Sequence, residues 1–312
     1  MKRKIAFFCF SFISLIVKAD DYDFSIPEHI MAFAYSNNGK LIAAAEIAGL
    51  IKLYDASTLE IIKTFDRKVL VASHIIFSPD DLYIAVASYG IIVFEIETGN
   101  VIFEHFPDKG NPSRRIYSIS YSFDGQRIVS GDREGIIRIY DIKKGIETVT
   151  IKATGLIESI SFSPDGRSVL STTFYGLKIW DAENGNELYT LSENIPFIMA
   201  SVLYSLNEKL IFLGYRKIRG GTVIEIYNAN NLKILYSYTL INHHYGVDSF
   251  YNIPNNSQIM FSTRGKQIII MDIYNGNIIN NIEISGHISV SPDGRNIVYS
   301  EDGVSINIRN VN

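Results

Sequence analysis

Apolar residues in this chain come in short runs that are too brief for helices. They lie at 41–45, 83–87, 128–130, 169–172, 210–213, 259–263 and 297–300, and turn-forming residues bound them. Short β-rich runs punctuated by Gly, Pro, Asn and Asp predict strands. Each run follows an aromatic or aliphatic residue, usually then Ser, and a turn. The openers are Tyr35, Phe77, Tyr121, Phe162, Tyr204, Tyr251 and Val290. After each run comes a Gly (Gly49, Gly90, Gly135, Gly176, Gly221, Gly265, Gly303). A second apolar run follows, ending in pairs such as Tyr140-Asp141 and Trp180-Asp181. The recurring Gly suggests a hairpin bend needing positive φ. A pattern returning roughly every 40 residues marks a repeat architecture whose units bury their faces against one another.

Another turn and a more polar fourth strand complete most units, as at 60–65 and 187–191. The expected fold is therefore all-β: a seven-bladed propeller of four-stranded antiparallel blades over residues 20–312. The seventh unit lacks a fourth strand. Upstream of the first unit, Tyr22, Phe24 and Ile26 alternate with Asp21, Asp23 and Ser25 as in a half-buried strand. This N-terminal strand is expected to complete the last blade and close the ring.

Phe162-Ser163-Pro164-Asp165-Gly166, Gly176 and Trp180-Asp181 resemble the WD-repeat β-propeller family, and the other units resemble it in pattern. The resemblance implies a non-enzymatic protein or peptide scaffold. The family's upstream Gly-His pair is missing; only Gly286-His287 looks like it, and it lies too close to Val290. The expectation is a divergent, bacterial-style propeller.

Residues 1–19 stand apart. Lys2, Arg3 and Lys4 precede an apolar run from 5 to 17, and Val17-Lys18-Ala19 forms a cleavage-like end. This is the layout of a signal peptide, so the chain is expected to be exported, periplasmic or secreted, with no stable membrane span after cleavage. The only cysteine, Cys9, leaves with the leader, which excludes disulfides and thiol chemistry from the mature protein. The full-chain charge of −4 argues against a dedicated nucleic-acid binder. A monomer is expected.

No motif-bound catalytic signature is present. Propeller enzymes assemble sites around the central channel, so the innermost strands carry the remaining candidates. Three positions before each opener stand Ala32, His74, Ser118, Ser159, Ser201, Asp248 and His287, and Glu158 is adjacent to Ser159. Small residues are expected where blades crowd. His74, Glu158, Asp248 and His287 suggest a metal site of a lactonase-type hydrolase, or, more simply, a His–Asp bond fastening blades. Adjacent His243 and His244 point to opposite faces and make a poor chelate.

Charge favours a different use. The loops after the second strands, together with the connections between blades, carry an excess of roughly four positive charges on one face. Two of these segments, 107–115 and 215–220, are longer than their equivalents. Arg114, Arg115, Tyr175, Arg216, Lys217 and Arg219 are therefore the expected contacts for a protein or peptide with an acidic surface. No metal, cofactor or catalytic residue is assigned.

Overall fold

The protein is described here as a computed structural model covering residues 29–69, 71–107, 115–191, 198–205, 209–217, 220–240, 246–251, 253, 257–264, 267–284 and 286–311. All its regular structure is strand. Seven antiparallel sheets follow one another as blades, at 30–65, 74–105, 116–152, 159–190, 198–240, 247–283 and 287–310. Six have four strands in sequence order; blade 7 has three among the described residues. The expected strand at 22–26 lies outside those residues, as does the leader.

The ring is held by apolar packing between neighbours. Seven buried clusters each bridge two consecutive blades, including the seventh and the first. At that last junction Val298, Ile306 and Ile308 pack with Ile30, Phe33 and Ile42. The Ile30 N–H donates to Gly303 O at 2.5 Å across the same junction. Each sheet is thus sandwiched by its neighbours, which explains why second and third strands read as continuous apolar runs.

The recurring Ser and Asp are explained by one turn. In blade 3, Ser122 Oγ donates to Asp124 Oδ1 (2.6 Å) and accepts the Arg127 N–H (3.0 Å). Asp124 Oδ1 also accepts the Gln126 N–H at 3.0 Å. Ser78/Asp80, Ser163/Asp165 and Ser291/Asp293 repeat it, and blade 1 does so with Asn38 in place of Asp. The corresponding turns of units five and six lie largely outside the described residues.

The expectation of positive φ at every unit's Gly needs correction. Gly49, Gly135, Gly176 and Gly303 have it. Gly90 does not: a Cβ there would collide with His105 O and the Phe106 ring, so the constraint is space. In blade 5 the positive φ belongs to Gly220, not Gly221. Gly265 lies outside the described residues.

Candidate partner-binding face and channel mouth

The loops joining second to third strands and the connections between blades emerge on one face. Of the six expected contact residues, four are described, on three consecutive blades. Arg115 enters blade 3, Tyr175 caps a hairpin of blade 4, and Arg216 and Lys217 leave the second strand of blade 5. Arg114 and Arg219 lie outside the described residues.

Tyr175 is held in place. Its N–H donates to Thr173 Oγ1 at 3.1 Å, and its ring meets Phe174 edge to face at 5.5 Å between centroids. The ring also covers Gly155, where a Cβ would approach it to 3.1 Å. Both rings remain open to solvent, Phe174 at 42% and Tyr175 at 55%. An exposed aromatic pair already fixed in one geometry loses little conformational entropy on binding.

The two arginines are also partly fixed. Arg115 is half-buried, and its carbonyl accepts the Arg133 N–H at 3.2 Å, tying the blade connection to the hairpin loop. Arg216 is half-buried at the end of its strand, opposite Thr222 and Ile198. The Nε atoms of both are buried with no hydrogen-bond partner. Lys217 is exposed. Two acids of the loops on this face are withdrawn from its surface: Glu46 is buried against Lys52 at 2.6 Å, and Asp132 against Arg138 at 2.9 Å.

His74 stands at the mouth of the channel on this same face, half-buried, with Nδ1 unpartnered. Burial pushes its imidazole down to about 4; Asp248 opposes that shift, and Arg115 and His287 reinforce it. These residues do not form the chelate of the alternative reading. Among the described residues, no three His, Cys, Asp or Glu side chains are placed to hold a metal ion. Asp248 is exposed and pairs with Arg264 at 3.6 Å. Glu158 Oε2 accepts the Ala200 N–H at 2.6 Å, joining blades 4 and 5.

Asp248 also occupies a different place from the one expected. Phe162 faces Val169 and Tyr121 faces Ile128, but Tyr251 faces Met260, one step further into the second strand. Ser249 therefore stands where Ser118 stands in blade 3, and Asp248 falls at a register shift. The bulge turns it away from the ladder.

The small residues of the inner strands do more than leave room. Ser118 and Ser120 of blade 3 accept the N–H groups of Ile160 and Phe162 in blade 4, at 3.2 and 3.4 Å. Ser159 accepts from Val202 in blade 5 at 3.2 Å, and Ser289 of blade 7 from Tyr35 of blade 1 at 3.3 Å. An inner strand is a sheet edge with unpaired donors, and in blades 1, 4 and 5 a serine of the preceding blade satisfies some of them.

Residues 104–141 match the family described as WD domain, G-beta repeat (WD40). The chain is similar to the WD repeat-containing protein SL1-17 of Schistosoma mansoni, 26% identical over 50% of this chain and 52% of that protein. It is similar to the small ribosomal subunit protein RACK1z of Oryza sativa subsp. japonica, 30% identical over 32% of each. It also resembles the U3 small nucleolar RNA-associated protein 21 homolog of Schizosaccharomyces pombe, 24% identical over 48% of this chain and 17% of that protein. The chain thus spans about half the length of the first relative and a smaller share of the others. Together with the seven blades, these likenesses support a WD-repeat propeller.

Proposed function

We propose that this WD-repeat propeller is an exported, non-enzymatic scaffold that binds a protein or peptide through the face carrying Arg115, Tyr175, Arg216 and Lys217. The observation that carries the reading is the fixed, solvent-open Phe174–Tyr175 pair, flanked by half-buried arginines on the two adjoining blades. Aromatic anchors supply affinity, and the cations orient an acidic partner on approach. Arg114 and Arg219 belong to the same proposed surface. Export rests on the leader-like residues 1–19, and the protein acts as a monomer in the periplasm or outside the cell.

The test is affinity capture from source-cell extract and envelope fractions. The bait is the chain, compared with a Tyr175→Ala, Arg115→Glu, Arg216→Glu, Lys217→Glu variant of unchanged melting temperature. A partner retained by the native bait is expected to fall at least about tenfold on the variant. Equal retention overturns this face as the docking surface.

A further inference from the structure

The opposite end of the channel opens into a bowl of about 890 Å³, built by residues of blades 1 to 5 and 7. That volume lies within the range of small-molecule and side-chain pockets. Its wall is aromatic and proline-rich, with Tyr35, Tyr121, Phe162 and Tyr204 inside and Pro79 and Pro164 at the turns. Phe123 stands at the rim with 72% of its surface exposed, the most open of the large apolar side chains described. Two carboxylates, Asp80 and Asp124, also line the bowl, and among the described residues no lysine, arginine or histidine does.

Arg127 favours the charged form of Asp124, and its other contacts hold it in place. Arg127 lies over the Phe162 ring at 5.2 Å and donates to Gly166 O at 2.7 Å. The Tyr121 hydroxyl is buried without a hydrogen-bond partner. Asp80 and Asp124 each use Oδ1 in the serine turn and are exposed. Ring faces together with carboxylates attract organic cations, arginine above all, because guanidinium stacks on a ring and pairs with carboxylate at once.

We infer that this bowl is a second binding site, for arginine side chains of a basic peptide, on the face opposite the proposed scaffold surface. The two sites select opposite charge, so one propeller is able to bridge an acidic and a basic partner. The bowl's occupant does not depend on the first surface, and the two readings fail separately.

The test is fluorescence anisotropy of dye-labelled hexa-arginine against the full chain at low salt, with hexa-glutamate as the opposite probe. Asp80→Asn with Asp124→Asn removes both charges while keeping the turn acceptors, since Asn38 fills this role in blade 1. The matched control is Asp181→Asn with Asp272→Asn. It makes the same charge change on the outer turns of this face, where Asn228 does the same job in blade 5. Hexa-arginine is expected to bind the wild type, to weaken about tenfold in the bowl variant and to stay within about twofold in the control. Phe123→Ala is expected to weaken it as well, and its exposed ring carries no share of the core. The inference is overturned if hexa-arginine does not bind below about 1 mM. It also fails if the two Asn pairs act alike, if the bowl pair changes nothing, or if hexa-glutamate binds equally well.

Discussion

Single residues carry two of the clearest consequences. Ser118 and Ser120 hold donors of the next blade that no strand pairs. Replacing both by Ala leaves the Ile160 and Phe162 N–H groups at the crowded channel wall. The loss is expected to be on the order of 2 kcal/mol in urea unfolding, about 1 per bond. A change below about 0.3 kcal/mol would mean that channel water replaces the serines fully. His74 gives a pH signature. Its folded pKa, about 4, lies below the ordinary value of 6.5, so between those values the unfolded chain binds more protons. Stability therefore falls as pH drops from about 6.5 to about 4, by up to about 3 kcal/mol, and this contribution levels off below. His74→Gln is expected to flatten that segment of the melting-temperature profile, and an unchanged slope would mean that His74 does not carry it. Carboxylates such as Asp293 belong to a lower range. Hydrogen bonds from Ser291 and the Arg295 N–H hold Asp293 below its usual range, so its contribution is lost only as pH falls through that lowered value.

At the level of the element, the strand and turn grammar was open to reading while the register was not. The Ser-turn-Asp signal marked real turns because it is a local hydrogen-bond device, complete within six residues. The frame of blade 6 slipped by one because Tyr251 looks like an opener in sequence yet pairs with Met260, one step further into the second strand. No local signal separates an aromatic that opens a strand from one a step away. A second strand also depends on what packs on it. Gly131 lies under Ile157 of the following connection, and any Cβ there would overlap that side chain. Gly131→Val is expected to destabilise by about 1–3 kcal/mol, with part recovered by Ile157→Ala. Additive losses in the double variant, read from denaturant midpoints, would refute the coupling.

For the whole molecule, blade count and order were legible because each unit repeats the same short-range code. The sites were legible only in part. Repeat position alone put Tyr175, Arg216 and Lys217 at one face, but it did not show that Arg216 ends a strand or that Tyr175 covers Gly155. The bowl did not, because each of its walls looks in sequence like an ordinary core aromatic, and only the ring brings them together. Closure itself is the largest remaining dependence. The described outer strand of blade 7, Asn307–Asn310, offers an edge that the fourth strand covers in every other blade. The alternating residues 22–26 are expected to pair there. Phe24→Asp should then lower the melting temperature by at least about 5 °C, and an unchanged melt would mean that packing against blade 1 closes the ring unaided.

The serine bonds along the channel, at the junctions of blades 3 and 4, 4 and 5, and 7 and 1, all run the same way round, the earlier blade accepting from the one that follows it. The ring therefore has a sense of rotation written into its hub. Direction round the ring is thus marked in chemistry as well as in chain connectivity. A circular permutant opened between blades keeps every such pairing and should assemble.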